Sequence, residues 1–115
     1  MIEASIYRNK NFEICGFQLN GHAGFAEEGS DIICSAVSML VINSLNAIEK
    51  FTSEHIIICT NEEVTGHIEC ELPEIKAGGH NHDVELILET MLLGLNQIEN
   101  EYSCYIKIND KGGRV

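Results

Sequence analysis

A two-layer α+β sandwich is the fold this 115-residue sequence predicts, with an about five-stranded mixed or antiparallel sheet and two helices on one face. Three observations predict it. Five short stretches are strand-like, most of them alternating apolar and polar residues, and two longer ones repeat apolar residues at i, i+3, i+4 and i+7. Their order is strand, strand, helix, strand, strand, helix, strand, which favours hairpin pairing over a purely parallel sheet. With 44% apolar residues, 10 Gly and 1 Pro, residues 1–115 are expected to form a single domain around one core.

Residues 2–8 place Ile2, Ala4 and Ile6 on one side and Glu3, Ser5 and Tyr7 on the other, the period of a half-buried strand. Asn9-Lys10-Asn11 reads as a turn. From Phe12 to Leu19 the apolar set changes phase, and Gly16 stands where a bulge would re-aim the side chains of a second strand. Residues 20–30, with Gly21, Gly24 and Gly29 beside Glu27 and Glu28, resist both helix and strand and predict a mobile loop at about 21–31.

Ile33, Ala36, Val37, Leu40, Val41, Leu45 and Ile48 then mark an amphipathic helix running to about Lys50, with Asp31 in the N-cap position. Residues 55–60 and 66–72 are the next strands, with Asn61-Glu62-Glu63 as their turn. After Pro73, a loop through Gly78 and Gly79 leads to a helix with the stripe Val84, Ile87, Leu88, Met91, Leu95 and Ile98, capped by Asn81 or Asp83. Cys104, Ile106 and Ile108 alternate in a last strand, and a frayed tail follows from Asp110. The solvent face of the sheet would carry Glu3, Tyr7, His67, Glu69, Glu71 and Tyr105, and its aromatic share offers a dimer surface.

Seven Lys and Arg against 18 Asp and Glu leave a formal charge of −11, which repels nucleic acid and anionic lipid and attracts basic peptides. The N-terminal stretch carries Glu3, Arg8, Lys10 and Glu13, unlike a signal peptide. The apolar run Ile32 to Leu45 contains Cys34, Ser35, Ser38, Asn43 and Ser44 and is expected to be too short and polar for a membrane span. Cys15, Cys34, Cys59, Cys70 and Cys104 are odd in number, with no two closer than 11 residues. That spacing excludes a CxxC pair and fits reduced thiols in a cytoplasmic protein.

The chemistry concentrates in residues 21–38. A glycine-rich loop joins a strand end to a helix start, and Cys34 falls in the opening turn, where unpaired N–H groups and the helix dipole favour a thiolate over a thiol. His22 is the natural base, and N–H groups of the same turn can hold an oxyanion. A packed core thiol is the competing reading of Cys34, yet the residue lies off the stripe of Ile33, Ala36 and Val37, and its neighbour one turn on is Ser38.

Asp31 is a helix cap or the group that orients His22. Ser38 either bonds back to the Cys34 carbonyl or faces the site. Gly21, Ala23 and Gly24 would let the backbone approach a substrate. Glu27 and Glu28 read as solvated loop charges. For metal, His80-Asn81-His82 is a weak signal, and His67 and Cys70 would point to opposite faces of a strand, so no metal site and no cofactor are expected.

At G-H-A-G (residues 21–24) and G-x-D-I-I-C-x-A-V-S ending at Ser38, the sequence resembles the bacterial ribosomal-processing cysteine protease family, Prp. The order of elements resembles that family along the full chain. The resemblance implies a cysteine endopeptidase that removes a short N-terminal extension, ending in an apolar, phenylalanine-containing motif, from a ribosomal large-subunit protein. It also implies Cys34 as nucleophile, His22 as base, a loop that orders on substrate, and a homodimer. Ile33 and Ser35 stand where valine and alanine are usual, and neither belongs to the dyad. The alternative is a non-catalytic ribosome-assembly or interaction module that uses the same loop.

Overall fold

The computed structural model describes residues 1–21, 30–60 and 66–110, apart from the side chain of Ser30. Its elements are β1 (Ile2–Arg8), β2 (Ile14–Asn20), α1 (Ser30–Phe51), β3 (Ile57–Thr60), β4 (Ile68–Glu71), α2 (Pro73–Lys76), α3 (His82–Glu101) and β5 (Ile106–Asp110). The expected α+β sandwich is present. Its five strands lie in the order β3-β4-β2-β1-β5, with every neighbouring pair antiparallel except β1 and β5, so the sheet is mixed.

Alternation in β1 buries Ile2, Ala4 and Ile6, and the register sets Ala4 beside Leu19 and Ile6 beside Phe17, so both strands present one apolar face. Against it pack Val37, Val41 and Ile48 of α1 and Val84, Leu88, Met91 and Leu95 of α3, all within one core. Each such large aliphatic side chain stabilises the fold by about 1.5–3 kcal/mol on burial. The two long helices approach closely at Gly94, where a Cβ would stand 2.7 Å from Leu40 Cδ2.

Several local expectations need correction. The phase change in β2 occurs at Cys15, not Gly16: Tyr7 pairs with Gly16 and Arg8 with Ile14, which leaves Cys15 as the extra residue of a bulge. A third helix, the single turn α2, starts at Pro73, where the missing N–H costs nothing at the first helical position. Asn81, not Asp83, caps α3, its Oδ1 accepting from the N–H groups of Asp83 and Val84 at 3.1 and 3.2 Å. Helix α1 begins at Ser30, so Asp31 lies inside its first turn and not in the N-cap position. Tyr105 packs against the core and not on the solvent face of the sheet. The turn expected at residues 61–63 lies outside the described residues.

The apolar run from Ile32 to Leu45, expected to be too short and polar for a membrane span, is part of a longer apolar helix. Over Asp31–Phe51, α1 is long and apolar enough by length and composition to cross a membrane, with a mean hydropathy of 1.6. Its buried stripe of Ile33, Val37, Val41, Leu45 and Ile48 puts part of that apolar content to use in the sandwich, while Ile32, Met39, Ile42 and Phe51 stay exposed.

Asp110 belongs to β5 and not to a frayed tail, because Arg8 holds it. Arg8 Nε donates to Asp110 Oδ1 at 2.9 Å, Nη1 to Glu89 Oε2 at 2.6 Å and to the Phe12 carbonyl at 2.8 Å. One guanidinium therefore joins the ends of β1 and β5 to the β1–β2 turn and α3. Hydrogen bonds to Asp110 and then Glu89 raise its pKa further above its ordinary value, against the opposing effect of burial. The Arg8 side chain is only 13% exposed, so water replaces it poorly. Arg8→Ala is expected to lower stability by about 1.5–3 kcal/mol in urea unfolding. A loss under about 0.5 kcal/mol, the range of an ordinary surface substitution, would refute the clamp.

Candidate active site

The last residue of β2 is followed by Gly21, whose φ of 94° lies in the left-handed region. A Cβ there would stand 2.4 Å from the Met1 carbonyl oxygen, so the turn across the start of β1 requires glycine. Beside it, His67 Nδ1 and Asn20 Oδ1 are hydrogen-bonded, which ties the approach to β4 to the end of β2. Gly66, with φ 84°, precedes that histidine.

These strand ends and the first turns of α1 enclose a cleft of about 250 Å³ lined by Ile2, Leu19, Gly21, Cys34, Val37, Ser38, Gly66 and Ile68. Ile2, Leu19 and Val37 are buried, so its walls are largely apolar. The volume falls below the ~300–1,000 Å³ of sites that engulf a small molecule. It suits an apolar side chain or two of an extended peptide.

Cys34 is the fifth residue of α1, one step past the first turn. A helical Cα–Cβ bond tilts toward the N-terminus, so its side chain leans over the opening turn, where backbone N–H groups lack intrahelical partners. Partly buried, the residue packs against the core on one side and lines the cleft on the other. Ser38, one turn on, also lines the cleft and is exposed. The back-bond to the carbonyl four residues earlier is made elsewhere on α1, by Ser44 Oγ to Leu40 at 2.7 Å. Asp31 is exposed.

The remaining thiols occupy different surroundings. Burial pushes the Cys70 thiol up to about 12, with Glu71 adding to the effect, and burial also raises Cys15. Both therefore stay protonated at neutral pH. Cys59 and Cys104 are exposed, and no disulfide joins the cysteines of the described residues. Larger hollows exist among the described residues, including one of about 320 Å³ beside Ser44, Leu86 and Met91 that has no thiol or histidine in its lining. One of about 660 Å³ runs between α1 and α3 past Leu40, Gly94 and Tyr102, with neither thiol nor histidine in its lining. Another of about 490 Å³ is lined by Cys15, Cys70 and Lys76, and its two thiols are the ones that burial keeps neutral. Chemistry, not size, selects the smaller cleft.

Of the sequence-derived candidates, Gly21, Cys34 and Ser38 thus meet at one cleft. His22, Ala23 and Gly24 lie outside the described residues, as does most of the loop at 21–31. The sequence reading missed the apolar walls, because Ile2, Leu19 and Ile68 look like ordinary strand residues until the sheet order brings their ends together. It also missed Gly66, whose position just before a strand was the available signal.

Comparison with known proteins agrees with this geometry. The family model described as cysteine protease Prp matches residues 1–107. The ribosomal processing cysteine protease Prp of Bacillus subtilis (strain 168) is 30% identical over 108 residues, 94% of this chain and 96% of that protein. Its namesake in Staphylococcus aureus (strain Mu50 / ATCC 700699) is 34% identical over 111 residues, 96% of this chain and 100% of that protein. The crystal structure of the S. aureus protease with a covalently linked product peptide superposes with a TM-score of 0.84 at 34% identity, covering 96% of this chain and 99% of the other. A family match over nearly the whole length, a shared fold and a thiol in a peptide-sized cleft lead to one conclusion: the chain belongs to the cysteine protease Prp family.

Proposed function

We propose that this protein is a cysteine endopeptidase that removes a short N-terminal extension from a ribosomal large-subunit protein. Cys34 is the nucleophile and His22 the base. The thiolate attacks the scissile carbonyl, forming the carbon–sulfur bond, while helix-start N–H groups hold the oxyanion. The imidazolium gives its proton to the departing amine, and water then hydrolyses the thioester to release the acid and restore the thiol. Asp31 orients His22 or stabilises the start of α1. Gly21, Ala23 and Gly24 bring backbone close to the peptide, with Ser38 at the cleft wall.

The observation that carries this reading is the position of Cys34, the one described cysteine on a cleft that also holds Gly21, at the mouth of the glycine-rich loop. The relatives support the substrate class: one S. aureus Prp structure holds a substrate peptide and another a covalently linked product peptide. The net charge of −11 supports it too, since ribosomal proteins are basic.

The chain works as a single cysteine-protease domain in the cytoplasm, soluble and as a homodimer, with its loop at about 21–31 ordering on substrate. A second copy would cover apolar side chains that the helix layer leaves exposed, among them Met39, Leu86 and Leu93. The sheet's solvent face is the other candidate surface.

Incubating the protein and its Cys34→Ala form with the extended N-terminal peptide of the host's own ribosomal protein tests the reading by mass spectrometry. Cleavage at one bond by the first and none by the second is expected, with unchanged circular dichroism. Binding by both without cleavage would favour a non-catalytic ribosome-assembly or interaction module. Iodoacetamide at neutral pH should label Cys34 well ahead of Cys15 and Cys70, and equal labelling would remove the distinction on which the assignment rests. On an intact basic substrate, kcat/KM should fall severalfold from low to physiological ionic strength, whereas a flat profile would exclude electrostatic steering.

A further inference from the structure

We propose that Glu13, His80 and Glu85 form a binding site for a divalent transition-metal ion of the Zn²⁺ type, at the opposite end of β2 from the thiol cleft. Glu13 directly precedes β2, His80 stands between α2 and α3, and Glu85 lies in the first turn of α3. Each offers one ligand atom, and the three atoms lie within 4.8 Å of one another. His80 Nδ1 contacts Glu13 Oε1, and Glu85 Oε2 stands 3.8 Å from the same nitrogen. One imidazole and two carboxylates make a donor set that zinc accepts, with ligand distances of about 2.0–2.2 Å and a water in the open position.

A second observation points to a ligand. Glu13 is 8% exposed, and its Oε2 is a buried oxygen with no hydrogen-bond partner among the described residues. A carboxylate oxygen inside a protein is normally satisfied, and a cation on the Glu13 carboxylate would satisfy this one. An ion pair with protonated His80 is the simpler account of the cluster. It leaves Oε2 without a partner and Glu85 at 3.8 Å.

The surroundings hold the ligands in place. Asn9, itself buried, donates from Nδ2 to the Ile75 carbonyl at 2.8 Å and accepts at Oδ1 from the backbone N–H of Glu13 at 3.1 Å. Asn81, next to His80, caps α3 and donates to Glu54 Oε1 at 3.0 Å. Both segments are thus fixed by neutral amides, and the two carboxylates match the charge of a divalent ion. The positive end of α3 opposes a cation, a smaller effect than two full carboxylate charges. Glu13 also raises the His80 pKa, so the metal must displace a proton. Bound metal would tie the start of β2 to the α2–α3 connection, a structural role separate from the thiol chemistry.

The test uses the full chain as Cys34→Ala, so that the cleft thiol does not compete, titrated with Co²⁺ alone and then Zn²⁺ alone. One equivalent of Co²⁺ with visible ligand-field absorption is expected, displaced by Zn²⁺, together with a rise in Tm. Adding His80→Asn or, separately, Glu85→Gln should weaken Co²⁺ binding at least about tenfold, with far-ultraviolet circular dichroism confirming the fold. Glu85 is half-buried on a helix surface, so its substitution keeps the test valid if the histidine variant misfolds. Absence of saturable binding would leave an ion pair alone and overturn the proposal. Equal affinity in the folded variants would place the ion on other donors and overturn it as well.

Discussion

One extra residue in β2 sets the geometry on which the rest of this molecule depends. Ile14 and Phe17 are an odd number of positions apart, so a regular strand would send them to opposite faces. The bulge at Cys15 absorbs that difference and lets both be buried, while Phe17 and Leu19 stay opposite Ile6 and Ala4. Without it, either the start of β2 would lose its core contact or Leu19 would leave the cleft wall. The same register carries the strand to Gly21 at the point where it must pass the Met1 carbonyl.

Helix α1 then completes the cleft. Gly94 gives Leu40 room, so α1 lies close to α3. Val37 is buried beneath α1, and Cys34 and Ser38 flank it on the rim. The thiol is therefore held by a rigid element at a place where the ends of β1, β2 and β4 converge, while the glycine-rich segment starts from the same spot. A thiol held on a rigid helix suits the peptide-bond chemistry proposed for it, because the reacting group is positioned before substrate arrives.

Charge is distributed along the same axis. At the far end of the sheet, Arg8 gathers Glu89 and Asp110, and nearby Glu13 and Glu85 converge on His80. The cleft end is built from apolar walls and polar backbone. The protein's acidity thus provides a long-range field around the cleft without placing a described carboxylate in its lining.

By itself, the sequence determined the local elements and the identity of the candidate site. Period-2 and period-3.6 patterns depend only on where neighbouring side chains point, so Ile2–Arg8, α1 and α3 were legible. The spacing of G-H-A-G and the downstream cysteine was legible because a helix start following a glycine loop is a local construction. Ends and pairings were another matter. The inclusion of Asp110 in β5 and the inward turn of Tyr105 are settled by contacts between distant segments. The parallel pairing of β5 with β1, the cleft walls at Ile2, Leu19 and Ile68, and the meeting of Glu13 with His80 were likewise decided only by the tertiary structure. Each unites residues far apart in the chain, and no local period encodes which distant neighbour a side chain will meet.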